Sequence, residues 1–487
     1  MEFDTRPNSV YSSSTHHPQP RWAFPVLSIL SAPRPNRRSA LVAGAVGAWT
    51  LADLLRAEAA GGVKSSVKSI INIHLDGGPP QHDTIDPKPD APEEIRGEFK
   101  PIATKLPGFH VTELMPKIAG IADKFAFLRS LVGSAGEHDA FQCQSGFRAK
   151  ELASVGGRPA VGCVLGKLLG TADDPVPAFV DLMQGRPMVR NSARSGFLGP
   201  SLAPFRPDMS KMFERELEPE MKVELANKGK QGTIQLSLAE GLTPERLRDR
   251  RKMLAGFDDL RRDLDTSGSM DALDKFGRQA VSILTSGRLA DALDFNKESA
   301  ANLARYCPPK ITGPKFDTAE DEHCAKKLLL ARRLIEAGVR CVSVTFSDFD
   351  THSKNFPRMR QLVPIVDHAI HALVTDLDER GMLGDVAIVV WGEFGRSPKI
   401  SKDGGREHWP EVGPALLCGG GFRGGQVIGS TDRTGGKVAS RPVSYEDVFA
   451  SLYKTLGIDA TKTTIKDPTG RPQFLMDRGE AIPELFS

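Results

Sequence analysis

Four apolar runs, each broken abruptly by a polar, turn-forming segment, constrain this chain more than any other feature. Residues 67–76 read VKSIINIHLD and stop at Gly77-Gly78-Pro79-Pro80. Residues 339–346 stop at Ser347-Asp348-Phe349-Asp350-Thr351-His352, and residues 385–391 (DVAIVVW) at Gly392-Glu393-Phe394-Gly395-Arg396. Residues 414–418 form the fourth run. Short β-branched runs without alternation are strands covered on both faces. Residues 126–132 and 175–182 are further strand candidates. Between these runs the apolar spacing turns helical at 113–125 (Leu114, Ile118, Ile121, Phe125), 160–170, 320–337, 357–380 and 444–456. The longest places Leu362, Ile365, Val366, Ala369, Leu373 and Leu377 on one face. Strands alternating with helices predict an α/β fold, with a mostly parallel central sheet and helices on both faces.

Two segments fall outside this rhythm. Residues 1–36 are rich in Ser, Pro and His, and Arg37-Arg38 then precedes the uncharged run 40–52 and Ala57-Glu58-Ala59. A paired-arginine start, a short apolar core and a small-x-small site read as a signal peptide of twin-arginine type. Residues 1–60 are therefore assigned to a disordered leader and export signal, and the mature chain to the periplasm or extracellular space, with the export machinery as a partner. Residues 205–305 are charged, poor in β-branched residues and helical in period. They read as a helical insertion in a domain spanning 66–480.

Composition excludes some partners. The 64 basic and 61 acidic residues nearly cancel, with no basic stripe interleaved with aromatics, so nucleic acid is not expected. No stretch of the mature chain approaches the length of a membrane span. The six cysteines follow no zinc or disulfide spacing, and Cys324, Cys341 and Cys418 lie in apolar stretches, as buried free thiols do. A single disulfide is the alternative.

The polar breaks carry the chemistry, because ligands of open α/β sheets bind beyond the carboxyl ends of the strands. Asp76, Asp350, His352 and Glu393 fall there, joined by His408 of the segment GREHWP between the last two runs. Singly, each has an ordinary explanation: an Asp before Gly-Gly forms turns, and an imidazole beside Trp409 packs. Together they form one candidate site. Gathered carboxylates raise each other's pKa until one protonates, and a divalent cation removes that penalty. Mixed imidazole and carboxylate donors favour zinc, with manganese, magnesium or calcium as alternatives. His82, Asp83, Asp348 and Arg406 are placed behind the ligands or against substrate. His368 and His371, inside the long helix, read as solvated or structural.

Five segments together carry a family resemblance: HLDGGPPQHDTIDPKPDAPEEIRGEFKPI, LLLARRLIEAGVRCVSV, DFDTHSKNFP, LDERGMLGDVAIVVWGEFGRSPKI and GREHWPEVGPALLCGGGFRGGQVIGSTD. Over about residues 66–460 they resemble the exported bacterial family called domain of unknown function 1501. That family is grouped with the alkaline-phosphatase-like superfamily of sulfatases, phosphatases and phosphomutases. The resemblance implies metal ligands at the carboxyl edge of the sheet. Asp76 matches the first ligand, Asp350 and His352 the later Asp-plus-His motif, Glu393 the strand-end carboxylate and His408 the last His. Phe394 stands where a second ligand often follows that carboxylate. A nucleophile is implied near residues 134–145, where this chain has Ser134, Cys143 and Ser145 but no sulfatase signature. His138-Asp139 occupies roughly the expected position, making both candidate catalytic residues.

The expected function is a metal-dependent hydrolase of phosphate or sulfate esters, acting on a small-molecule or glycan ester. Arg396 or Arg406 would grip the anion as a fork. The alternative is a non-catalytic periplasmic or surface binding protein on the same fold.

Overall fold

The computed structural model describes residues 68–171, 173–183, 192–207, 233–234, 279–280, 282–283, 286–308 and 322–487. The assigned leader, 1–60, lies outside these residues, as does most of the insertion at 205–305. The described ends of that insertion include helices Arg288–Leu293 and Ala300–Arg305 and a short parallel pairing of Arg206–Pro207 with Thr233–Ile234.

Eight strands form one sheet: β1 (Ser69–Leu75), β2 (Phe125–Val132), β3 (Phe179–Leu182), β4 (Cys341–Phe346), β5 (Val386–Trp391), β6 (Gly413–Gly419), β7 (Gln426–Ile428) and β8 (Val443–Ser444). The order is β7-β2-β6-β5-β1-β4-β3, with β8 also beside β2. Every pairing is parallel except those of β6, which runs antiparallel to β5 and β2. The α/β expectation holds, as a mostly parallel sheet with one reversed strand.

Alternation along β1 explains why both faces are covered. Ile71, Ile73 and Leu75 enter one core with α3 (Lys326–Ala337) and α4 (Asn355–Glu379), while Ile70 enters the other with α2 (Val161–Leu169) and α5 (Tyr445–Thr455). Ser444 and Asp447 close a capping box at the start of α5. The expected helix over 113–125 shrinks to α1 (Pro116–Gly120). Pro116 starts it and disfavours helical backbone at the residue before. The Asp367 carboxylate accepts from the N–H groups of Lys117 and Ile118, satisfying its first turn. All six cysteines are free, and all but Cys307 are buried. No helix among the described residues is long and apolar enough to cross a membrane.

The strand order positions the site. β5, β1 and β4 are parallel neighbours, with Leu75 level with Phe346 and His74 level with Trp391. β2 points the same way, since antiparallel β6 lies between it and β5. The segments after β1, β2, β4 and β5 therefore leave from one edge, and the segment carrying His408 enters β6 at that edge.

Candidate metal centre

Asp350 is the hub. The loop after β4 folds back on the turn after β1, where Phe349 N–H donates to Asp76 O at 3.0 Å. Gly77 makes this approach possible: its φ is +98°, and a Cβ there would lie 2.3 Å from the Asp350 nitrogen. The hairpin pairing Gly395–Arg396 with His408–Trp409 brings His408 in from the other side. The Nε2 atoms of His352 and His408 then lie 3.0 and 3.2 Å from the same Asp350 Oδ1, and 3.2 Å from each other.

The tautomer of each ring sets what that triangle can hold. His352 Nδ1 meets the Glu407 carboxylate at 2.5 Å, and His408 Nδ1 meets the Gly136 carbonyl at 3.3 Å. With the proton on Nδ1 a ring presents its Nε2 lone pair inward, the tautomer that a bound cation selects, whereas with the proton on Nε2 it donates to Asp350. In the first tautomer three acceptor atoms face one another, an arrangement that a cation among them stabilises. Four-coordinate zinc, with bonds of about 2.0–2.2 Å, separates its ligand atoms by roughly 3.3–3.5 Å. The observed separations lie close to that, and the donor set fits the ion.

A second group lies deeper. Glu393, 1% exposed, accepts from Gly77 N–H at 2.9 Å and meets His74 Nε2 at 3.0 Å. Ligand atoms of His74, Asp76 and Glu393 lie within 4.8 Å of one another, as do those of His138, Asp350 and His408. The Nδ1 of His74 is buried and has no hydrogen-bond partner. His138 joins the two groups, with Nε2 at 3.1 Å from Asp350 Oδ2 and Nδ1 at 3.1 Å from Glu393 Oε1. Burial opposes its protonation, but the hydrogen bonds to Asp350 and Glu393 prevail and raise its pKa to about 9. Asp350 and Glu393 are in turn held far below the usual carboxylate range, against burial, by His138 with His408 and Arg396 in one case and with His74 in the other. Protonated His138 thus supplies a positive charge between two carboxylates.

The structure divides the expected single ligand set between two groups bridged by His138, Asp350 with His352 and His408 in one and Asp76 with Glu393 in the other, and turns the other candidates elsewhere. Asp139 Oδ2 accepts from Ala149 N–H. His82 is buried against Thr434 O at 2.7 Å. Asp83 forms a fully buried ion pair with Arg406 and accepts from Asn355. Asp348 pairs with Arg358. The expected anion fork needs correction. The buried Arg396 guanidinium donates to Asp350 and to the carbonyls of Gly77, Gly78 and Arg406, while Arg406 donates to Asp83 and to the carbonyls of Ser397, Pro398 and Ile95. Both are used up inside the protein, as buried guanidiniums must be. Ser134 Oγ donates to the Glu393 carbonyl, and Cys143 and Ser145 are buried.

Sequence reasoning missed His74 and Glu407. His74 had a signal: with Asn72 it puts polar side chains two apart on one face of an otherwise apolar strand. Asn72 accepts from Trp391 Nε1 at 2.8 Å and donates to Cys143 O at 2.6 Å, tying the 133–146 segment to the sheet. Glu407 had none, because its role depends on where His352 arrives.

Residues 67–486 match the family described as protein of unknown function (DUF1501). The chain belongs to this family. A search of curated protein sequences finds no match to this DUF1501 chain. Among solved structures it is similar to PsFucS1 sulfatase from Pseudoalteromonas sp., at 13% identity and TM-score 0.36, covering 88% of this chain and 72% of that one. It is also similar to the phosphonate monoester hydrolase of Silicibacter pomeroyi (11%, TM-score 0.34, covering 86% and 76%) and that of Agrobacterium radiobacter (12%, 0.33, covering 86% and 77%). At these values the likeness carries no argument about the chemistry of the DUF1501 chain.

Proposed function

We propose that this chain is an exported, metal-dependent hydrolase of phosphate or sulfate esters, related to the alkaline-phosphatase-like superfamily and acting on a small-molecule or glycan ester in the periplasm or outside the cell. The observation that carries the reading is the triangle of Asp350 Oδ1, His352 Nε2 and His408 Nε2, three ligand-type atoms 3.0–3.2 Å apart. A divalent ion bound there supplies Lewis-acid polarisation of an ester oxygen. Glu407, 2.5 Å from His352 Nδ1, would accept that nitrogen's proton when the ring binds an ion through Nε2. Arg396 fixes the orientation of Asp350 from behind, at 2.7 Å. His138, one-quarter exposed and 3.1 Å from both Asp350 and Glu393, is the group placed to pass a proton to a leaving alkoxide.

A specific observation favours a second reading, a binding protein without turnover: Ser134, Cys143 and Ser145 are engaged or buried, and both arginines are committed to internal partners. One experiment separates the two. Protein purified without added metal is analysed for bound elements, titrated with zinc and assayed on aryl phosphates and sulfates, beside His352→Ala and His408→Ala. Turnover by the loaded protein, lost in both variants, supports the hydrolase. Metal binding without turnover on any ester supports the binding protein, absence of metal binding refutes the hydrolase, and absence of both metal and anionic-glycan binding by calorimetric titration refutes both. Export is tested by fusing residues 1–60 to a reporter active only outside the cytoplasm. Silence of that reporter refutes it.

A further inference from the structure

His352 and His408 face the same Asp350 oxygen but are held there by different means. His352 has a short polar tether, Glu407 at 2.5 Å. His408 has only the Gly136 carbonyl at 3.3 Å, beyond the usual hydrogen-bond range. The face of its ring lies on Phe394, the two rings stacking with centroids 4.1 Å apart and planes 30° from parallel, while His138 meets it edge-on at 4.7 Å. Phe394 is in turn wedged in place. It is 1% exposed, and a Cβ on Gly78, whose φ is +80°, would lie 2.4 Å from its ring. The Arg396 guanidinium lies 5.3 Å from its centroid, and the His138 ring 5.4 Å away.

Resting on the metal reading above, we propose that Phe394 is a positioning residue for His408. At a place where a second ligand could follow the strand-end carboxylate, this chain carries an aromatic shelf. The shelf holds a ligand from a different loop at the angle that points its Nε2 at Asp350. The pairing of Gly395–Arg396 with His408–Trp409 fixes the backbone of His408 but leaves its ring to be set by its neighbours. Stacking on a residue tied to the strand fixes that ring. Removing a partner that orients a metal-bound imidazole typically weakens metal binding 10–100-fold.

The test is a double-mutant cycle read by zinc affinity, from competition with a chromophoric chelator, in the full-length protein. Phe394→Leu keeps an apolar side chain and removes the ring face, and Phe394→Tyr keeps both. We expect Phe394→Leu to bind zinc about tenfold more weakly and Phe394→Tyr to match the wild type. In a His408→Ala background, Phe394→Leu should have no further effect, because its route to the metal is gone. The visible spectrum of the cobalt-loaded protein should shift in Phe394→Leu and not in Phe394→Tyr. If Phe394→Leu does not fold, Phe394→Met takes its place in the cycle. An unchanged affinity in Phe394→Leu, or an equal loss with and without His408, overturns this inference and leaves the metal reading standing. Equal zinc affinity in the wild type and His408→Ala overturns both.

Discussion

Replacing Gly405 with alanine isolates one contact on which the site depends. A Cβ at Gly405 would lie 1.9 Å from the His352 carbonyl oxygen and 2.5 Å from the Ser353 nitrogen. Both obstacles are backbone, so no rotamer change relieves them. The two loops would have to part by about 1.1 Å to restore a 3.0 Å contact. Arg406 N–H donates to Thr351 O at 2.9 Å beside this contact, so the separation strains the hydrogen bond that registers the loops. One loop carries His352 and the other leads into His408, whose Nε2 atoms lie 3.2 Å apart. Metal sites tolerate errors of about 0.2 Å in ligand position, several times less than the required shift. Gly405→Ala should therefore weaken zinc binding at least tenfold, about 1.4 kcal/mol. Its unfolding free energy should fall by only about 1–3 kcal/mol, as in other overpacked sites. Gly384→Ala is the control, since nothing lies within 4 Å of a Cβ there. Zinc affinity by chelator competition and stability by urea titration measure the two effects. Wild-type zinc affinity in folded Gly405→Ala would refute the reasoning.

Three further outcomes are expected. His74→Ala leaves the buried Glu393 carboxylate with one partner fewer and should cost about 3 kcal/mol in urea titrations; a loss below 1 kcal/mol would mean that water replaces the imidazole. Arg406→Met strands buried Asp83 and should cost about 3–5 kcal/mol, whereas a stable variant altered only in anion binding would restore the fork. His82 is neutral in the fold: burial, then the Arg406 charge, lower its pKa to about 4, and its Nδ1 is buried without a partner. The unfolded chain takes up that proton first as pH falls, so the stability present above pH 6.5 should drain away between about 6.5 and 4, on the order of 3 kcal/mol. Acid titration of stability for the wild type beside His82→Gln checks this. Parallel curves for the two proteins would exclude His82 as the cause.

Much of the fold was legible because it depends on local pattern. The runs at 67–76, 339–346 and 385–391 became β1, β4 and β5, and the spacing of Leu362 to Leu377 became the core face of α4. The 113–125 segment misled because Leu114, Ile118 and Ile121 keep helical spacing, while Pro116 sets the helix start and Phe125 already belongs to β2. Asp76, Asp350, His352, Glu393 and His408 could be placed at one edge because parallel strands send their carboxyl ends the same way. The arginines could not be judged in this manner. Arg396 and Arg406 have the same composition signal whether they face solvent or lie sealed among carbonyls, and only packing separates the two cases.

The amino-acid order alone therefore determines the strands, the helices and the short list of acids and imidazoles at their ends. These follow from hydrophobic periodicity and turn chemistry, which act over a few neighbouring residues. The tertiary structure decides which of those groups meet, which nitrogen of each imidazole faces inward, and which charges are cancelled. Those outcomes depend on atoms hundreds of residues apart arriving within about 3 Å, a distance set by sheet order, register and close backbone packing at Gly77 and Gly405.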